Sequence, residues 1–222
     1  DPVTENYRTL RTNLSFSSLD NPIKSMLVTS SGPGEGKSLT CANLGISFAE
    51  TGIRTLILDV DLRKPVQHKL FGIEKKIGLC NYVVEEAALD DVIHDSGVEN
   101  LWLIPVGKIP PNPAEILASR KFAEVMKNLT DKFDMVLLDT PPVMSVTDPV
   151  LVSLNVGGVL FIIKYGKTDK QVAVNAMNRL KKGRSNLLGV VLNEIQYKRG
   201  YGYYQYFDYY SYYYSTDDKK KK

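Results

Sequence analysis

Residues 31–38 read SGPGEGKS and join an apolar run, SMLVTSS (25–31), to a helix-like stretch, SLTCANLGISFAETG (38–52). A strand that ends in glycines and opens directly into a helix is a phosphate-binding loop. Gly32, Gly34 and Gly36 let the backbone curl until its N–H groups face an anion. The helix that follows turns its positive end to the same place. Lys37 reaches β- and γ-phosphates, and the Ser38 hydroxyl suits Mg²⁺. The usual spacing, G-x-x-x-x-G-K-[ST], holds at Gly36, Lys37 and Ser38, while Ser31 replaces the first glycine. Gly32, Pro33, Gly34, Glu35, Gly36, Lys37, Ser38 and Leu39 are thus the candidate ATP-binding segment. The glycine spacing G-x-G-x-G is not the G-x-G-x-x-G of a dinucleotide loop.

Such a loop needs a sheet, and the rest of the chain supplies one. TLILDVD (55–61), LWLIPVG (101–107), MVLLD (135–139), GVLFIIKYG (158–166) and LLGVVLN (187–193) read as buried strands. Between them lie helical patterns: short ones near 68–71 and 79–86, a long one over AEILASRKFAEVMKNLTDKF, one near 148–154 and one over 171–182. Strands alternating with helices predict an α/β fold of the P-loop NTPase kind. Its sheet is mainly parallel, with helices on both faces. The expected organisation is a single domain over 1–195 and a tail over 196–222. VTENYRTLRTNL opens the chain as a helix within 1–16, with Val3, Tyr7, Leu10 and Leu14 on one face.

Ligands of such sheets bind outside the carboxyl ends of the strands. Asp59 and Asp61 end one strand, on the same side of the chain, and Asp139 ends another. An aspartate there is often only a turn former. Beside a phosphate loop, the three read as a Mg²⁺ and catalytic cluster. In it Ser38, Asp61 and Asp139 are candidate metal ligands, and Lys37, Asp59 and Asp61 are candidate catalytic groups. Asp59 or Asp61 could orient a nucleophile.

Bulk properties exclude more than they assert. Two distant cysteines, Cys41 and Cys80, make neither a disulfide framework nor a metal site, and suit a reducing cytosol. No apolar run is long enough to cross a membrane. A chain that begins Asp-Pro reads as a piece of a longer polypeptide, so a membrane-spanning portion could lie outside it. The net charge of +3 makes no case for nucleic acid.

Nine of the fourteen residues over 201–214 are tyrosine: Tyr201, Tyr203, Tyr204, Tyr206, Tyr209, Tyr210, Tyr212, Tyr213 and Tyr214. Three readings compete for this stretch. It is a low-complexity end without a role, an aromatic platform for nucleic acid, or a substrate. Lys198 and Arg199 are too few to support the second. With few aliphatic residues the segment is expected to be mobile, as a substrate arm must be. Near the other terminus, Glu5, Arg8 and Arg11 step away from the apolar face and are expected to be exposed. They form either a local ion pair or an interface.

Several of these motifs together resemble one family. ILDVDLRKP (57–65) is similar to the second Walker-type motif of bacterial tyrosine kinases, which are deviant P-loop ATPases of the MinD/ParA kind. MVLLDTPP resembles their Walker B strand, and GKIPPNPAEILAS (107–119) their proline-rich signature. Glu5, Arg8 and Arg11 match their E-x-x-R-x-x-R motif, and the tyrosine-rich end their autophosphorylated cluster. The resemblance implies transfer of the γ-phosphoryl of MgATP to tyrosine. It gives Asp59 the place facing the tyrosine hydroxyl and Asn193 an adenine contact. It also implies a ring-like homo-oligomer joined through Glu5, Arg8 and Arg11, each tail entering the neighbouring active site. The further implied partners are a transmembrane activator, fused or separate, and a phosphotyrosine phosphatase. The implied setting is the cytoplasmic face of the bacterial plasma membrane, in capsule or exopolysaccharide synthesis and export. The rival is a MinD/ParA-type ATPase switch without kinase activity. Relatives of that kind often carry a lysine where Gly32 stands, which favours the kinase branch. The iron-protein branch would need cysteines to share a cluster.

Overall fold

The computed structural model describes residues 2–16, 22–74, 76–109 and 111–195. Among them, seven strands form one sheet in the order β3-β4-β2-β5-β1-β6-β7. The strands are β1 (Ser25–Ser30), β2 (Thr55–Asp59), β3 (His94–Asp95), β4 (Leu101–Ile104), β5 (Met135–Asp139), β6 (Gly158–Lys164) and β7 (Leu187–Asn193). All pairings are parallel except β3 with β4.

Side-chain alternation divides the core into two layers. Leu27, Leu56, Leu58, Val136, Leu138, Val159 and Phe161 face one side. There they meet α4 (Leu79–Val83), α7 (Arg120–Lys132) and α9 (Lys170–Lys182) through Leu79, Phe122, Val125, Leu129, Ala176 and Leu180. Met26, Val28, Ile57, Leu137, Leu160 and Ile162 face the other side. They pack beneath α1 (Pro2–Phe16) and α2 (Lys37–Ala49) through Leu14, Leu44 and Phe48. Both faces are covered, so the inner strands carry apolar residues at successive positions. No helix of the described residues is long and apolar enough to cross a membrane.

Three local differences from the sequence pattern have physical causes. The helical pattern after residue 113 is two helices, α6 (Pro113–Leu117) and α7. Ser119 separates them: its hydroxyl accepts the Phe122 N–H at 3.1 Å and caps α7. β2 stops at Asp59 rather than 61, because the side chains of Asp59 and Asp61 capture the backbone that follows. The antiparallel β3 is two residues long, too short to leave a periodic signal.

On α1, Leu14 is buried, Tyr7 and Leu10 are half-buried, and Val3 is exposed. Glu5 and Arg8 are exposed as expected, but Arg11 is not fully so. Its guanidinium donates to the Ser47 carbonyl and, at 3.2 Å, to the Ser47 hydroxyl. Arg8 pairs with Glu50 at 3.4 Å and with Glu5 at 3.6 Å. The helix is therefore docked on the far end of α2 by both arginines, Arg11 half-buried and Arg8 exposed.

Candidate active site

The ends of β1, β2 and β5 are adjacent in the middle of the sheet. The loop after β1 has φ +74° at Gly34 and +89° at Gly36, and α2 begins at Lys37. Gly36 has a second reason to lack a side chain. A Cβ there would lie 1.9 Å from Asn193 Nδ2. That amide closes the loop from β7 by donating to the Glu35 carbonyl at 3.0 Å.

Glu35 braces the loop from within. Its buried carboxylate accepts the Ser31 N–H at 2.8 Å, the Gly32 N–H at 3.2 Å and the Ser31 hydroxyl at 2.8 Å. It also accepts the Thr168 hydroxyl at 2.7 Å. The serine in the place of the first glycine thus has a task of its own.

Register explains the acidic cluster. Asp59 and Asp139 are direct partners on neighbouring parallel strands, although 80 residues separate them in sequence. Lys37 Nζ lies 3.3 Å from Asp61 Oδ2, 3.7 Å from Asp139 Oδ1 and 3.1 Å from the Ser38 hydroxyl. Burial works against the ammonium charge, but Asp139, Asp61 and Asp59 outweigh it and hold the Lys37 pKa above its ordinary value. Burial, and then the charge of Asp139, push Asp59 up to about 8. Burial likewise raises Asp139, against the opposing pull of Lys37.

The carboxylates differ in what they touch. Asp59 accepts three backbone N–H groups, from Asp61 at 3.2 Å, Val66 at 3.1 Å and Gln67 at 3.0 Å. Those contacts make it the organiser of the 59–67 loop. Asp61 accepts the Lys64 N–H at 2.9 Å with Oδ1 and meets Lys37 with Oδ2. Asp139 keeps a buried Oδ1 without a hydrogen-bond partner among the described residues.

Asp61 and Asp139 share the one ammonium of Lys37, and Asp139 Oδ1, 3.7 Å from it, still lacks a hydrogen-bond donor. Mg²⁺ takes one or two carboxylates and completes its shell with water and phosphate oxygens. The site therefore fits Mg²⁺, with Ser38, Asp61 and Asp139 as the residues that would hold it.

The curated protein Tyrosine-protein kinase YwqD of Bacillus subtilis (strain 168) is 39% identical over 203 residues, covering 90% of this chain and 86% of that protein. A family model described as an AAA domain matches residues 24–162. The chain belongs to the bacterial tyrosine kinase family. The crystal structure of the chimerical protein CapA2B2 superposes on this bacterial tyrosine kinase with a TM-score of 0.86 and 36% identity, over 89% of this chain and 87% of that one. The septum site-determining protein MinD of Pyrococcus horikoshii OT3, complexed with Mg-ADP, gives a TM-score of 0.66 and 25% identity, over 80% and 72% of the two chains.

The kinase fold brings Gly32 to Leu39, Asp59, Asp61, Asp139 and Asn193 to one sheet edge. Asn193 also lines a hollow of about 320 Å³ between α1 and β7, with Tyr7, Leu10, Thr40 and Ile195. Arg8 and Arg11 sit apart from the cluster, against the end of α2, and Glu5 pairs with Arg8. The nine tail tyrosines lie outside the described residues.

Sequence reasoning missed four participants. Gln67, wholly buried, joins Asp59, Asp139 and Ser38. Thr168 reaches the loop through Glu35. Arg63 and Asp148 form a two-pronged pair at 3.0 and 3.3 Å, the arginine half-exposed and the aspartate buried. Arg63 stands within ILDVDLRKP and was open to suspicion. Asp148, 85 residues away, carried no signal.

Proposed function

We propose that this kinase transfers the γ-phosphoryl of MgATP to tyrosines of its own C-terminal cluster, 201–214. The observation that carries the reading is the position of Lys37. It lies between the phosphate loop and the carboxylates of Asp61 and Asp139, where the attacking and departing oxygens of a phosphoryl transfer must be held. Lys37, the 32–39 backbone and Ser38 bind the phosphates. Mg²⁺, when bound through Ser38, Asp61 and Asp139, neutralises charge that develops on the transferred group. Asp61 is the carboxylate nearest the transfer path, and Asp59 acts through the loop it braces. The hollow beside Asn193 supports a place for adenine between α1 and β7.

The tail supplies the acceptor hydroxyls, and we infer delivery in trans within a homo-oligomer. Exposed Glu5 and Arg8 support an interface on α1, since the surface pairs Glu5–Arg8 and Arg8–Glu50 are each worth only about 0–1 kcal/mol. The same reading places the kinase at the cytoplasmic face of the bacterial plasma membrane. It acts there in capsule or exopolysaccharide synthesis and export, with a membrane activator and a phosphotyrosine phosphatase as partners.

The likeness to MinD favours a second reading, an ATPase switch that controls association without modifying protein. Incubation with MgATP, followed by mass spectrometry of the C-terminal peptide, separates the two. Phosphotyrosine that disappears in Lys37→Met is the expected result. ATP turnover with an unmodified tail, even with a membrane activator segment added, would refute the kinase reading.

A further inference from the structure

Gln67 opens α3 (Gln67–Leu70) and is wholly buried. Different parts of it touch different motifs. The backbone N–H donates to Asp59 Oδ2 at 3.0 Å. Side-chain Nε2 donates to the Ser38 carbonyl at 2.9 Å and to Asp139 Oδ2 at 2.8 Å. These two bonds use both amide hydrogens. They also fix which way the amide points, because the reverse orientation would set one oxygen against two acceptors.

The other end of the amide is the informative one. Gln67 Oε1 is buried and has no hydrogen-bond partner among the described residues. Asp139 Oδ1, on the carboxylate that Gln67 holds, likewise lacks a hydrogen-bond donor, although Lys37 Nζ stands 3.7 Å away. A buried acceptor without a partner costs about 1–3 kcal/mol. Here two of them flank one side-chain contact. Lys37 gives Asp139 Oδ1 a charge partner at 3.7 Å but no hydrogen bond, so what completes the pair must coordinate Asp139 and offer a hydrogen to Gln67. A hydrated divalent cation does both.

We propose that Gln67 is a positioning residue for the catalytic cation. Nε2 fixes the Asp139 carboxylate and the first turn of α2, while Oε1 accepts a hydrogen from a water in the cation's shell. This inference rests on the reading that Mg²⁺ binds at Ser38, Asp61 and Asp139. It assigns Gln67 to metal affinity and not to nucleotide affinity.

The test uses the full chain with Mn²⁺ as probe, its free fraction read by electron paramagnetic resonance at saturating ADP. Gln67→Leu keeps the volume and removes both polar ends. Mn²⁺ affinity should fall about 10-fold, as for other residues that orient a ligand of the metal. ADP affinity measured with chelator should change far less than Mn²⁺ affinity, while the melting temperature should drop, because the Ser38 carbonyl and Asp139 Oδ2 lose their donor. Gln67→Asn, one methylene shorter, should move metal affinity in the same direction and decides the matter if the leucine variant does not fold. Unchanged Mn²⁺ affinity in a folded variant overturns the proposal. A parallel loss of chelated-state ADP affinity also overturns it, because that is the mark of a collapsed loop. If wild type itself binds no Mn²⁺ with ADP, the metal reading falls, and this proposal with it.

Discussion

Gly36→Ala tests the clasp between the phosphate loop and β7. Alanine at φ +89° meets the left-handed penalty of about 1–2 kcal/mol. Its Cβ would also stand 1.9 Å from Asn193 Nδ2, so the amide must leave. That forfeits the 3.0 Å bond to the Glu35 carbonyl, worth about 0.5–1.5 kcal/mol. The sum is about 1.5–3.5 kcal/mol, a fall of roughly 3–14 °C in melting temperature for a chain of this size. Asn193→Ala removes the bond alone and should cost about 0.5–1.5 kcal/mol. The double variant is the decisive one. In the Gly36→Ala background the bond is already lost, so Asn193→Ala should add almost nothing. Urea unfolding of the four proteins reads the cycle directly. Full additivity would show that Gly36 and Asn193 do not meet, and the account of the clasp would fail.

Two further outcomes follow from charge. Asp59 and Asp139 hold raised pKa values, so between the unfolded carboxylate range near pH 4 and about 8 the folded state binds more protons than the unfolded chain. Stability of the nucleotide-free, metal-free protein should therefore fall as pH rises through that window, and Asp139→Asn should flatten the slope. Thermal melts across the range that stay level for wild type would contradict the coupling. Arg63→Met would leave the buried Asp148 carboxylate unpaired. The expected cost is about 3 kcal/mol, the low end for breaking a buried pair because Arg63 is half-exposed. Adding Asp148→Asn should recover most of it, and denaturation midpoints that show no recovery would count against the pair.

The parts of this fold that were legible carry their reason locally. β5 and β7 follow their apolar runs to the residue, since both begin and end at polar breaks. The phosphate loop announces itself because glycine, lysine and serine there serve chemistry that no other residue types supply. The acidic strand ends were visible for the same reason, yet their division of labour was not. Asp59 became a loop brace and Asp61 the partner of Lys37 only once the 59–67 segment folded back on their oxygens. Arg11 was placed in solvent by helical spacing, and the carbonyl of Ser47 drew it in. Gln67 has no chemical signature in a sequence. Its role comes from parallel register, which sets Asp139 beside Asp59, and from a short helix that delivers one amide between them.

α2 has a mechanical consequence. It starts at the phosphate loop and ends under α1, thirteen residues later, a span of about 20 Å at the usual helical rise. Lys37 is at one end, and Ser47, which Arg11 grips, is near the other. α2 is thus a strut held at both ends. One unbroken helix, and not a succession of loops, joins the α1 contact to Lys37.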